Sequence, residues 1–299
     1  MAACSIVGLG GVNLNAFAPP GVGLRPVAAP YLAFAGPAPG AGSSIDITVA
    51  LDVPQAAEPA HPLLSNGCGW VLSGSAAGRR LRVASPGAGG QPFLVGEWDR
   101  QATRATVYAA QPADRVAPGS EVDHPVHHPL DQMLMMHHLA SQRGLLVHAA
   151  GLACAAKGLL FPGVSGAGKS TLTRQFLACS WPALLSDERI IVRELSDGFR
   201  VYGTPWPGEA GVAANASAAL AGIFFLARGD RHCAAALSPR QALERLLPAA
   251  AILWYDAELL AEQLATCERL LQQTPAFELR FRPSPDLVDY LDDFSARYL

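Results

Sequence analysis

The stretch LLFPGVSGAGKSTLTRQFL, residues 159–177, holds the residues with the plainest chemistry in this chain. Gly163, Gly168, Lys169 and Ser170 complete the pattern GxxxxGK[ST]. Between them, the small residues Ser165, Gly166 and Ala167 let successive backbone N–H groups turn into one concavity that can hold a phosphate. A helix beginning at Lys169 would add the positive end of its dipole, with Thr171 in its first turn. Lys169 is then placed to bridge β- and γ-phosphates, and the Ser170 hydroxyl to take a coordination position on Mg²⁺. An apolar run precedes the loop and a helix-forming run follows it, a context that separates a phosphate loop from a chance glycine-rich turn. The expected cofactors are ATP, or another nucleoside triphosphate, and Mg²⁺.

A second group stands one helix further on, in LLSDERII. Asp187 and Glu188 lie 18 and 19 residues past Lys169. Acids at that distance can ligate Mg²⁺, and one of them, Asp187, can serve as general base toward an attacking hydroxyl. The competing explanation for both is a solvated strand end. ABC-type ATPases place their acidic pair much further along the chain. Small-metabolite kinases place an Asp near this distance but follow it with a helix, whereas RIIVREL–SDG–FRVYG reads as a hairpin. His148, in GLLVHAAGL, is the third candidate. A lone histidine in an apolar run is more often a satisfied core residue than a functional one.

Taken together, VHAAGLACAAKGLLFPGVSGAGKST and LLSDERIIV resemble the catalytic core of HPr kinase/phosphorylase, whose core fold is similar to that of ATP-dependent phosphoenolpyruvate carboxykinases. The resemblance covers residues 140 to about 205 well and the remaining C-terminal half loosely. It implies active-site positions for His148, Lys169, Ser170, Asp187 and Glu188, with Arg189 beside them. It also implies a serine-directed kinase in which the first acid of the pair is the base. The family's glycine-rich segment tied to phosphorylase activity has no counterpart. In its place stands YGTPWPGEAG, whose Trp206 and Glu209 would line an acceptor pocket with Arg189, or simply belong to a Gly/Pro-rich turn. The N-terminal half does not resemble the family's N-terminal domain. The expected acceptor is therefore a peptide or small protein other than HPr, as for the divergent stand-alone kinases of this type. A nucleotide-dependent switch without catalysis and carboxykinase-like chemistry are the alternatives. The family tends to assemble, which leaves room for a homo-oligomer.

These residues need a scaffold, and 299 residues with 50% apolar and 16% charged side chains can supply one. The pattern points to an α/β fold: a β-rich N-terminal domain over residues 1–129, then a kinase domain over 130–299 with a mixed twisted sheet and flanking helices. Residues 1–43, rich in Ala, Gly and Pro, read as loops or short edge strands with some disorder. Neither GLGGVN nor GVGLRP completes a dinucleotide fingerprint. IDITVALD, RRLRVAS and RATVYAA alternate as strands, and DQMLMMHHLA reads as a packing helix with Met133, Leu134, Met136 and His137 to one side. LLVHAAGLAC and GLLFPG form a hairpin into the loop. Beyond it, LSPRQALERLL opens with a Ser238–Gln241 capping box, and SPDLVDYLDDF reads as a capped terminal helix.

The net charge of −3 offers no footprint for nucleic acid or an anionic membrane. No segment reads as a membrane span, and the N-terminus lacks the basic region of a signal peptide, so a cytoplasmic protein is expected. His124, His127 and His128, with the two histidines of the helix, fit no zinc spacing and read as a surface or interface cluster. The six scattered cysteines read as buried small hydrophobes in a reducing compartment.

Overall fold

The computed structural model describes residues 4–52, 62–67, 69–75, 78–84, 92–108, 116–154, 157–179 and 183–299. Cys68, and the ends of two expected strands at Ser85 and at Ala109 and Ala110, lie outside them. The protein is mixed α/β and divides into two compact units, Met1–His138 and Leu139–Leu299. The division falls inside helix α1 (Leu130–Ser141) rather than at the expected 129/130 boundary.

The first unit is built on strands β1 (Cys4–Leu9), β2 (Val12–Phe17), β3 (Gly23–Leu24), β4 (Ser43–Ala50), β5 (Leu64–Ser65), β6 (Trp70–Ser75), β7 (Gly78–Ala84), β8 (Pro92–Asp99), β9 (Arg104–Tyr108) and β10 (Glu121–Val122). Eight of them form one sheet in the order β1-β2-β4-β9-β8-β7-β6-β5, and β3 pairs with β10. Residues 4–17 are thus two regular strands and their turn where loops or short edge pieces were expected. Their turn, Gly10–Gly11, holds φ of 60° and 72°, the double left-handed geometry that joins two strands tightly. Alternation explains the rest: Leu14, Ile45 and Ile47 are fully buried while Asp46 and Thr48 face out.

His124, His137 and His138 are buried, whereas His127 is half-buried and His128 exposed, so the expected surface cluster is corrected for the first three only. His137 (0% exposed) makes a 2.7 Å Nδ1 contact with the Met133 carbonyl, and His138 (1%) meets the Ala102 carbonyl and the Ser43 hydroxyl. Met135 rather than Met136 faces inward. Among the described residues no group of His, Cys, Asp and Glu can cage a metal ion.

The second unit carries strands β11 (Gly144–Cys154), β12 (Lys157–Pro162), β13 (Leu184–Ser186), β14 (Arg189–Leu195), β15 (Gly198–Tyr202), β16 (Ser217–Arg228), β17 (Cys233–Ala236) and β18 (Ala276–Phe281). Its helices are α2 (Lys169–Ala178), α3 (Pro239–Leu246), α4 (Ala257–Gln273) and α5 (Asp286–Tyr298). The sheet runs β12-β11-β14-β15-β16-β18-β17, with β13 on β11. Because β12 also pairs with β16, five strands close on themselves. Successive residues of each buried strand serve different cores. Val147, Leu160 and Phe225 join α3 and α4 on one side, while Ala150, Phe161 and Phe224 join Leu172 and Phe176 of α2 and Leu291 of α5 on the other. Such period-two alternation between two apolar faces gives near-continuous apolar runs in sequence.

The Ser238–Gln241 capping box forms as expected. Helix α5 departs from expectation: its N-cap residue is Pro285, with no side-chain cap, and the Ser284 hydroxyl instead meets His232 Nε2 at 3.1 Å. Cys4, Cys179 and Cys233 are exposed, contrary to the expected burial. Among the cysteines whose side chains are described, Cys267 alone fits it, its thiol pushed up to about 12 by burial. Among the described residues no helix is long and apolar enough to cross a membrane.

Candidate active site

The loop leaves β12 after Pro162 and enters α2 at Lys169. Gly166 and Gly168 hold φ of 82° and 98°, where a side chain would strain the backbone. A Cβ on Gly163 would stand 2.6 Å from that of Ala167, so glycine there permits the tight closure. The Gly163 N–H donates to the His148 carbonyl at 3.0 Å, tying the loop to the strand that carries the histidine. Ser165 and Gly166 are exposed, and Ser170 and Thr171 half-buried.

Lys169 is 6% exposed. Its ammonium donates to the carbonyls of Gly163 at 2.6 Å and Val164 at 3.2 Å, folding over its own loop. Burial lowers its pKa most; Glu188 opposes this, Arg189 adds to it, and Asp187 opposes it again. The ammonium thus shares one electrostatic neighbourhood with all three residues of the DER sequence.

Strand pairing assembles the rest. His148 lies opposite Arg189 in the antiparallel register of β11 and β14. Glu188, one residue earlier, therefore reaches the imidazole, with Oε1 3.1 Å from Nε2. The Arg189 guanidinium is 3.7 Å from the same oxygen. Burial, then Lys169 and Arg189, hold the His148 pKa below its ordinary 6.5, with Glu188 pulling the other way. The ring is neutral at pH 7 and donates its Nε2 proton to the carboxylate.

The two acids turn out to be unlike. Asp187 is 2% exposed. One of its oxygens accepts the N–H groups of Gly208 (2.9 Å) and Val212 (3.2 Å), and the other that of Ala210 (2.7 Å). A Cβ on Gly208 would sit 2.8 Å from Oδ2, so glycine lets the segment wrap the carboxylate. The expected base therefore has most of its lone pairs engaged in anchoring residues 208–212, and Glu188 is the acid left facing the cluster. Trp206 is buried, and Glu209 points to solvent, 3.4 Å from Arg174 of α2. Of the three residues expected around the acceptor, only Arg189 joins His148 and Glu188. The amides that hold Asp187 escaped sequence reasoning, their one signal being glycines at 208 and 211. A cavity of about 770 Å³ beside the loop, reached by Arg228, Asp230 and Arg282, escaped it too.

Fold and site define a mixed α/β protein that carries a GxxxxGKS loop between strand and helix, flanked by a His–Glu–Arg cluster. The chain belongs to the ScmC family: the family model described as SynChlorMet cassette protein ScmC matches residues 129–280, which include the loop, His148 and the acidic pair. No curated protein matches the chain.

Proposed function

We propose that the second unit is a Mg²⁺-dependent phosphotransferase that moves the γ-phosphate of ATP to a hydroxyl, with a serine of a peptide or small protein as acceptor. One observation carries this reading. A complete phosphate loop with a buried lysine shares its electrostatic neighbourhood with a carboxylate that a neutral histidine holds at 3.1 Å. The chain order of histidine, hairpin, loop and acid–Arg sequence also resembles HPr kinase/phosphorylase, which supports a serine acceptor and a kinase-type core.

In this scheme the loop amides and Lys169 grip the β- and γ-phosphates. Mg²⁺ would be held by the half-buried Ser170 hydroxyl together with donor oxygens, and it supplies charge neutralisation at the transferring phosphoryl group. Glu188 takes the proton of the acceptor hydroxyl as its oxygen bonds to the γ-phosphorus. The bond from that phosphorus to the β-phosphate oxygen breaks, and ADP leaves. His148 donates to Glu188 and fixes the carboxylate; Arg189 adds positive charge beside it. Asp187 acts at one remove, by anchoring residues 208–212.

Glu188→Gln keeps the size of the side chain and removes its basicity. ATP affinity is expected to stay near that of the parent, while phosphoryl transfer falls by about 10²–10⁴, the usual contribution of a general base. Unchanged transfer would remove Glu188 from the role, and parallel losses in both would make it a nucleotide-binding residue.

A further inference from the structure

Another cavity, of about 920 Å³, belongs wholly to the first unit and plays no part in the proposed phosphotransfer. It lies on the face of the eight-stranded sheet turned away from that unit's core. Leu14, Ile45, Ile47, Leu81 and Val107 are buried on one face, so the residues alternating with them belong to the other. The strand registers align six of these alternates in one row: Phe17 on β2, Thr48 on β4, Thr106 on β9, Glu97 on β8, Arg80 on β7 and Ser73 on β6. All six line the cavity. Neighbouring strands stand about 4.8 Å apart, so the five intervals make a trough about 24 Å long.

The polar groups along the trough are unevenly committed. Its carboxylates already have donors. Glu97 accepts the Tyr108 hydroxyl at 3.0 Å and meets the Arg80 guanidinium at 3.4 Å. Asp46 accepts the Asn15 amide at 2.8 Å. Asp99 accepts the backbone N–H groups of Gln101, Thr103 and Arg104 and the Thr103 hydroxyl. Arg104 stands beside Asp46 in the register of β4 and β9. Among the described residues its guanidinium nevertheless has no ion pair or hydrogen bond, and neither do the hydroxyls of Thr48 and Thr106. What the trough leaves to a ligand is therefore mainly donors: an exposed guanidinium and two hydroxyls, with the half-buried ring of Phe17 at one end. Such a set suits an acceptor-rich, anionic partner.

From this arrangement we infer that the trough docks an extended acidic peptide segment. Arg104 and the threonine hydroxyls take its carboxylates, and its chain runs along the row between Phe17 and Ser73. Length favours a peptide over a small carboxylate. At about 3.3 Å per residue, an extended segment of about seven residues fills the row, whereas a small di-acid would meet one part of it only. A basic segment would find the three carboxylates already supplied with donors and Arg104 repelling it. The docking is independent of phosphotransfer and makes the first unit a peptide-binding module in its own right.

Titration of labelled seven-residue peptides into the full-length protein tests this docking. One peptide alternates glutamate with serine; in two others glutamine or lysine replaces the glutamate. The glutamate peptide should bind at least about tenfold more tightly than the glutamine peptide, a gap that one charge-assisted hydrogen bond supplies. The net charge of −3 gives the protein no general attraction for it. Arg104→Gln alters an exposed position and should close the gap, and Thr106→Val should weaken the glutamate peptide about threefold. Arg240→Gln, also exposed but in the second unit, should change nothing. Peptides that bind alike or not at all, a gap that survives Arg104→Gln, an equal loss in Arg240→Gln, or tighter binding of the lysine peptide would each overturn the docking. Glutarate that binds as tightly as the glutamate peptide and displaces it would make the trough a small-carboxylate site and overturn it too. None of these results bears on phosphotransfer, which label transfer from ATP reads separately.

Discussion

Two adjacent acids with the same charge meet different neighbours because of where the strands place them. Asp187 at the end of β13 turns inward to the amides of residues 208, 210 and 212, while Glu188 turns toward His148. Asp187→Ala should leave three half-buried N–H groups without their carboxylate acceptor, each costing up to about 1–3 kcal/mol. A loss of several kcal/mol in urea denaturation is the expected outcome, and an undestabilised variant would contradict the anchoring role. For His148 the expectation concerns pH. Its pKa is lowered, so the ring stays neutral until the pH falls below the ordinary value of 6.5. Transfer should hold its rate as pH drops through 6.5 and decline only below it, as the charged ring and Arg189 both draw on Glu188. A decline centred at or above 6.5 would show that the imidazole is not the group titrating. The loop was readable as a string because its residues are contiguous. The different surroundings of Asp187 and Glu188 were not, because they depend on amides more than twenty residues away.

At the scale of elements, hairpins and helices with local signals were legible. The β11–β12 and β14–β15 hairpins and the capping box of α3 arise from turns and caps a few residues long. What escaped was non-local. The strand character of residues 4–17 comes from β2 pairing with β4 across an intervening segment that includes β3, which no window of Ala, Gly and Pro reveals. The uncapped start of α5 follows from Ser284 turning to His232. The segment leading from β15 to the anchored loop is close-packed as well. A Cβ on Gly203 would lie 2.0 Å from the Ala214 carbonyl oxygen and 2.6 Å from that of Leu185. Gly203→Ala must move backbone and should cost about 1–3 kcal/mol or more. Because residues 203–214 carry the amides around Asp187, transfer should fall further than stability alone explains. Thermal unfolding alongside transfer rates would separate the two effects, and an unperturbed variant would contradict the packing.

The molecule as a whole combines a β-rich first unit with a second unit that holds the GxxxxGKS loop and the His148–Glu188–Arg189 cluster. The two should respond differently to acid. In the first unit, His124 is 6% exposed, its Nδ1 accepts the Val126 N–H at 3.1 Å, and burial lowers its pKa to about 4. Between pH 4 and 6.5 the unfolded chain binds a proton that the folded one does not, so stability rises with pH across that window and is lost on acidification. The full shift corresponds to on the order of 3 kcal/mol. His124→Gln should flatten the acid limb of a pH–stability curve, and an unchanged limb would show that another group governs it. In the second unit, the proposed role of the loop and the Glu188 cluster is to transfer phosphate together. Incubating the full-length protein with γ-labelled ATP, Mg²⁺ and serine-containing peptides tests it most directly. Label on a serine is expected, lost in Lys169→Ala and cut by about 10²–10⁴ in Glu188→Gln. Label transfer that persists in both variants, or its absence from the parent with every acceptor offered, would contradict it.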